Sequence, residues 1–245
     1  MNSRLLNTKE AARFLRVSEA SIRRWSDAGL LPVRRVGGRH ERRFTEDDLQ
    51  HFLGPGKGAP SSRTTLAEVN VGGVAVPLHS HLATLYSSDA GRLRLTVPFI
   101  AEGLRAGQPC FLAAGGDTLD AYVVALRTEG VDLDEATRRG LFVTVVGPGV
   151  NTERALDFWE QQFWPLLATA RSLIRTVGEM SSERRLFSSD AEMIRYEGAF
   201  NLLAKRFPIV ALCQYDVREF DGETIFQALR THPDLYGLHL GGFLN

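Results

Sequence analysis

Residues 6–53 read LNTKEAARFLRVSEASIRRWSDAGLLPVRRVGGRHERRFTEDDLQHFL. Ala11, Ala12, Phe14 and Leu15 give residues 9–15 one apolar face, with Thr8 placed to cap the helix. Arg16 and Val17 make a tight turn. Ser18 caps a second helix over residues 19–28, and Gly29 stops it in the left-handed conformation glycine tolerates. Two helices of this length joined so closely predict a helix-turn-helix. Residues 33–36 and 41–44 flank Gly37-Gly38-Arg39-His40, a glycine turn that predicts a two-stranded wing. Thr45, with Asp48 three residues on, has the spacing of a capping box. It opens a last helix through Asp47, Leu49, Phe52 and Leu53.

In the second helix, Ile22 and Trp25 are three apart and turn inward together. Ser21, Arg23 and Arg24 are left on the outside. The second helix of this motif is the one that enters a major groove, where arginine can pair with guanine or with phosphate. The wing adds Arg34, Arg35, Arg39, His40, Arg42 and Arg43, with Arg39 at its tip and phosphate contact as the expected role. Residues 1–57 hold twelve Lys/Arg against seven Asp/Glu, a charge of +5, and the remainder of the 245-residue chain carries −5. A neutral chain built this way is a basic nucleic-acid module on an acidic body that repels DNA.

This stretch resembles the MerR-type and excisionase-like winged helix family. The matching landmarks are Glu10-Ala11-Ala12, Ser21 to Trp25, Gly29-Leu30-Leu31-Pro32, and Arg43-Phe44 ahead of Asp48-Leu49. The resemblance implies a double-stranded DNA partner. MerR proteins continue into a long dimerising helix. Here residues 54–65, GPGKGAPSSRTT, are a Gly/Pro/Ser/Thr linker instead. The reading is therefore a head over 1–53, a linker over 54–65 and a body over 66–245.

In the body, apolar runs at 110–114, 141–146, 173–177 and 209–215 read as strands buried on both faces. Residues 81–86, 96–106, 118–129, 152–163, 191–206 and 224–230 read as helices. The alternation predicts a mainly parallel sheet covered by helices on both sides. Ligands of such sheets bind beyond the carboxyl ends of the strands. The candidate ligand residues are Gly115, Gly116, Asp117, Glu179, Tyr215 and Asp216, with Gly147, Pro148, Gly178 and Met180 nearby. His79 and His81 are expected to join from the preceding loop. Arg175, charged within a strand, needs a partner from Glu179, Glu197 or Asp216, as an ion pair or as an anion site. Gly115-Gly116-Asp117 occupies the place of a phosphate loop but lacks its lysine. Asp117 is expected to cap its own helix.

His79, His81, Glu179, Cys213, Asp216 and His232 are residue types that suit zinc or iron. The only tight spacing among them is His79-x-His81. Capping, small-molecule contact and metal binding stay open for these histidines, and no metal site is assigned. Cys110 and Cys213 sit in apolar runs and read as buried free thiols. Tyr196-Glu197 reads as a packed helix position. Residues 155–167, rich in aromatics, read as a core helix or a dimer interface, with Pro165 expected to break or bend it.

The order of His79-Ser80-His81, Pro98-Phe99, Glu102-Gly103-Leu104, Gly178-Glu179-Met180, Tyr196-Glu197, Cys213 to Asp216 and His232-Pro233 resembles the MEDS domain. That is the sensory domain named for methanogens, methylotrophs and the dichloromethane regulator. The resemblance implies a RecA/KaiC-like α/β fold and the sensing of small hydrocarbon derivatives.

With 44% apolar and 24% charged residues the chain reads as soluble and globular. The polar N-terminus and the lack of a long apolar run place it in the cytoplasm, away from membranes. The leading expectation is a homodimeric transcription regulator answering to a small-molecule effector. The competing one is a DNA-binding protein whose body docks a protein partner without any small ligand. No nucleophile–base pair supports an enzyme, and no catalytic residue or cofactor is expected.

Overall fold

The computed structural model describes residues 5–15, 19–27, 31–37, 40–53, 68–147, 151–167 and 173–245, with the side chains of residues 20, 21, 24, 51 and 53 left aside. Expectations placed on Ser18, Gly29, Arg39, Pro148, residues 54–65 and the side chains of Ser21 and Arg24 lie outside the described residues. The chain divides into two compact units, residues 1–63 and 64–245.

In the first unit, β1 (Leu5–Leu6) leads into α1 (Thr8–Leu15), α2 (Glu19–Asp27), the wing strands β2 (Arg34–Val36) and β3 (Glu41–Thr45), and α3 (Glu46–Leu53). The cap of α1 is Asn7, not Thr8: Glu10 N–H donates to Asn7 Oδ1 and Asn7 N–H to Glu10 Oε2, both at 2.9 Å. A reciprocal pair satisfies two otherwise orphaned amides, which a single hydroxyl cannot do. Thr45 does cap α3, its Oγ1 accepting from Asp48 N–H at 3.0 Å. Ala11, Ala12, Leu15, Ile22, Trp25, Leu31, Phe44 and Leu49 are buried together, and Trp25 packs on Phe52 at 5.4 Å. Phe14, expected inside, is 37% exposed.

The second unit opens with a hairpin, β4 (Glu68–Val71) and β5 (Val74–Pro77), and then β6 (Ser80–Tyr86) and α4 (Asp89–Arg105). Next come β7 (Cys110–Ala113), α5 (Gly116–Thr128), α6 (Leu133–Arg138), β8 (Phe142–Val145) and α7 (Thr152–Leu167). The chain continues through β9 (Ile174–Glu179), α8 (Met180–Glu183), α9 (Asp190–Ala204), β10 (Ile209–Asp216) and α10 (Gly222–Thr231). The five strands β6-β10-β9-β7-β8, in that order, are parallel throughout.

Successive strand residues face opposite sides, and β10 shows which helices cover which side. Gln214 meets Tyr122 of α5 and the Arg92 carbonyl of α4, whereas Cys213 faces the α9 side. On the α9 side Trp159, Phe163, Phe200 and Phe207 form an aromatic core, with Trp159 Nε1 donating to Tyr196 Oη at 2.8 Å. Residues 155–163 therefore belong to the core, while Trp164 and Leu167 stay partly exposed.

One expectation fails here, and of the two alternatives offered for Pro165, a break or a bend, the break fails. Residues 81–86 are the strand β6, not a helix: they are apolar enough for either, but lie under cover on both faces and pair along β10. Pro165 does not end α7, which runs two residues further to Leu167. A proline that close to the terminus removes only one late hydrogen bond.

Candidate functional site

The wing places arginine opposite arginine. Arg34 pairs with Arg43 and Arg35 with Arg42 across β2 and β3. Residues directly opposite share a face, where like charges repel. Acidic neighbours offset this. Asp27 of α2 takes Arg42 at 2.7 Å on both carboxylate oxygens and Arg35 at 3.0 Å, and Glu41 takes Arg43 at 2.6 Å. The Arg42 guanidinium, hydrogen-bonded to Asp27, holds that carboxyl below its usual range. Arg42 Nε also reaches Ser26 Oγ at 3.1 Å, so Arg42 ties the wing to the second helix. Arg23 pairs with Glu19 one turn earlier at 2.8 Å and is exposed. These are exposed pairs, weak and screened by salt, that a phosphate can replace. His40 closes the turn, donating its N–H to the Gly37 carbonyl at 3.0 Å with φ 49°. Arg23, Arg34, Arg35, His40, Arg42 and Arg43 thus lie on α2 or the wing.

The second unit has a polar cleft of 490 Å³ at the carboxyl ends of β6, β7 and β9. Its walls include Tyr86, Arg92, Gly115, Gly116, Asp117, Glu179, Ser181, Ser182, Arg185 and Glu219. Glu179, the last residue of β9, organises it. Its Oε1 accepts from Tyr86 Oη at 2.8 Å and Ser181 N–H at 3.3 Å. Its Oε2 accepts from Ser182 N–H at 2.9 Å and Ser182 Oγ at 2.7 Å. Burial, with the neighbouring Glu179 charge, pushes the Tyr86 phenol up, so it stays a donor. Gly115 forms the N-cap of α5 and Gly116 takes φ 53°. Asp117 lies in the first helical turn and does not cap it.

Four of the nine expected ligand residues, Gly115, Gly116, Asp117 and Glu179, line this cleft. The other five do not. His79 and His81 lie at the amino end of β6, because the preceding loop enters the sheet at the opposite end of the strands from the cleft. His79 is exposed with φ 67°. Arg175, at the amino end of β9, finds none of its three expected partners. It donates to Gln108 Oε1 at 2.8 Å and the Phe99 carbonyl at 2.7 Å, stacks over the Phe99 ring and lies 3.8 Å from Glu102. A Cβ on Gly103 would come within 2.5 Å of Arg175 Cδ and 2.7 Å of Cys110 Sγ, so that glycine makes room for the pair. Asp216 is occupied by Arg218, at 2.6 Å. Tyr215 is buried between Phe220 and His232.

His81, Cys213 and His232 come together, joined by Glu197 of α9, in a cluster whose ligand atoms all lie within 4.8 Å of one another. His81 Nε2 is 3.1 Å from Cys213 Sγ and 3.4 Å from Glu197 Oε2, and His232 Nε2 is 2.9 Å from Glu197 Oε2. All four are buried, and burial, reinforced by His232, holds the His81 imidazole down to about 4. Sequence reading named three of these residues and treated Glu197 as packing. Spread over some 150 positions, they carry no spacing signal. Both cysteines are free and buried, as expected.

Residues 80–233 match the family model described as MEDS, the methanogen/methylotroph, DcmR sensory domain, and residues 5–54 match a helix-turn-helix domain model. The chain is 38% identical over 244 residues to the transcriptional repressor DcmR of Methylorubrum extorquens, which covers 95% of this chain and 91% of that protein. An uncharacterized protein of Pyrococcus horikoshii, solved in complex with an unknown peptide, superposes with a TM-score of 0.50 at 13% identity, over 64% of this chain and 76% of that one. Flagellar accessory protein FlaH of Methanocaldococcus jannaschii gives 0.45 at 11% identity, over 64% and 69%. The first of these structures supports a RecA-like α/β fold for the second unit, as the parallel sheet does.

Proposed function

The chain belongs to the MEDS family and carries a helix-turn-helix domain at its amino end, and from that premise we propose that its second unit binds a small effector in the Glu179 cleft and thereby alters binding of the head to an operator. It is a DNA-binding transcription regulator, not an enzyme. The cleft carries the effector part of this reading. It lies where open parallel sheets take their ligands, and its 490 Å³ suits a small molecule. Arg92 and Arg185 offer donors, while Tyr86, Ser181 and Ser182 can bond a polar group. The effector is therefore a small compound with at least one oxygen or other acceptor, such as an oxygenated hydrocarbon derivative. Regulation requires that it bind more tightly to one state of the protein than to the other.

On DNA, Arg23 of α2 meets base edges or phosphate and Arg34, Arg35, His40, Arg42 and Arg43 grip phosphate, with Ser21, Arg24 and Arg39 adjoining them in the sequence. Operators are commonly read by dimers, and Trp164 and Leu167 are exposed apolar residues that a second copy could cover.

The test uses the full chain and duplexes selected from DNA upstream of its own gene. Fluorescence anisotropy measures affinity with and without members of a panel of small oxygenated and halogenated compounds. The expected result is a change in affinity with at least one compound that Arg185→Glu removes while leaving DNA binding intact. Retained response in Arg185→Glu would contradict the cleft assignment. Unchanged DNA affinity in Arg34→Ala/Arg35→Ala/Arg43→Ala would contradict the wing assignment.

A further inference from the structure

We propose that His81, Glu197, Cys213 and His232 form a closed binding site for one divalent transition-metal ion, zinc by the chemistry of the donors. The site shares no residue with the effector cleft and does not depend on that reading. Its donor set is two imidazoles, one thiolate and one carboxylate. Zinc accepts nitrogen, sulfur and oxygen in tetrahedral sites, whereas magnesium and calcium select oxygen alone. With bonds near 2.0–2.3 Å, neighbouring donors of a tetrahedral zinc stand about 3.3–3.7 Å apart. The separation of 3.4 Å falls in that range, those of 2.9 and 3.1 Å fall a few tenths of an ångström below it, and no pair of donors is more than 4.8 Å apart, so small side-chain shifts bring the four onto one ion.

The hydrogen bonds point the same way. His232 Nδ1 lies 2.7 Å from the Ala228 carbonyl, which fixes the proton on Nδ1. In the neutral imidazole Nε2 then presents a lone pair towards Glu197 Oε2, 2.9 Å away, and among the described residues neither atom hydrogen-bonds to a group outside the cluster. A carboxylate oxygen 2.9 Å from an imidazole lone pair in a buried site is unfavourable unless a proton or a metal ion stands between them, and the second histidine and the thiol converging on the same point supply the further donors a metal needs. The carbonyl behind His232 is the outer-shell support that metal-bound histidines ordinarily have. Charge also balances. The Cys213 thiol gives up its proton on binding, so one thiolate and one carboxylate neutralise a divalent ion. Every donor is buried, leaving no open coordination position of the kind a catalytic zinc keeps. The ion would join β6, α9, β10 and the segment after α10, so its role is to fasten the α9 face to the sheet.

Tag-free full chain, purified from zinc-supplemented medium and dialysed, is analysed for metal by mass spectrometry. A second sample is reconstituted with cobalt and examined by absorption. The expected result is about one zinc per chain. The cobalt form should show a sulfur-to-cobalt charge-transfer band with strong visible bands of tetrahedral type. Cys213→Ser should lose that charge-transfer band, and Cys110→Ser, which alters the other buried thiol, should keep it. A folded wild-type chain that retains no zinc and gives no cobalt bands would overturn the proposal, leaving the cluster a buried imidazole–carboxylate pair. A charge-transfer band surviving in Cys213→Ser would overturn it equally. The wild-type spectrum does not depend on whether any variant folds.

Discussion

Glu179→Gln isolates what holds the cleft together. The substitution keeps the volume but turns one acceptor oxygen into a donor. Four donors converge on this carboxylate: Tyr86 Oη, the N–H groups of Ser181 and Ser182, and Ser182 Oγ. The side chain is 1% exposed, so water cannot take their place. The least costly arrangement puts the new amide towards Tyr86, whose hydroxyl can turn and accept. Ser181 N–H then loses its bond at 3.3 Å. The remaining three bonds fall from charge-assisted to neutral strength, about 1 kcal/mol each. Burying a neutral amide in place of a carboxylate recovers part of that loss. The net cost is about 2 kcal/mol, and a unit of this size shifts its melting midpoint by about 3 °C per kcal/mol. Scanning calorimetry of the full chain should therefore place the transition of the second unit about 6 °C lower, with the head transition unmoved. An unchanged or raised midpoint would refute the reasoning, because the carboxylate would then cost more to bury than its four bonds return.

Trp25→Ala removes the largest buried side chain of α2 and its contact with Phe52; at about 3–5 kcal/mol for a buried aromatic it should unfold the head. DNA retardation should vanish while calorimetry of the second unit stays as in wild type; retained binding would place the interface elsewhere. Glu183 is buried, and burial first, then the charges of Glu197 and Glu179, push its carboxyl well above the usual range. Its folded pKa therefore exceeds its unfolded one, so its contribution is full below the unfolded value and is lost as pH rises through the folded one. Glu183→Gln, which lacks that proton linkage, should gain stability relative to wild type in denaturant titrations as pH rises above the ordinary carboxylate value of 4.5. A difference that shrinks as pH rises would contradict a neutral Glu183.

The head was legible because its signals are local. The apolar positions Ala11, Ala12 and Leu15, the Thr45–Asp48 box and the glycine turn each sit within five residues, and α2 and the wing appear where they point. The body was legible in class and less so in detail. Residues 81–86 offer no period to separate a doubly buried strand from a helix, and only their short length favoured the strand. The hairpin of β4 and β5 did carry a readable sign, since Gly72 and Gly73 both take positive φ between alternating valines. The cleft was half legible: the carboxyl-end rule located Gly115, Gly116, Asp117 and Glu179, but which loops reach that end is decided by topology. Arg175 needed a partner, as a buried charge must, and took Gln108 and a carbonyl from the other end of the sheet. The His81–Glu197–Cys213–His232 cluster depends wholly on tertiary packing, because β6, α9, β10 and the end of α10 meet only in the folded chain.

The salt dependence of duplex binding tests most directly whether the head is an arginine surface built for DNA. Affinity of the full chain for its selected duplex is measured from low to moderate salt. If Arg23, Arg35, Arg42 and Arg43 exchange their acidic partners for phosphates and Arg34 takes another, log K against log salt should fall with a slope of about −4 or steeper, at about −0.9 per phosphate. A slope near zero, or no affinity for any duplex at low salt, would contradict it.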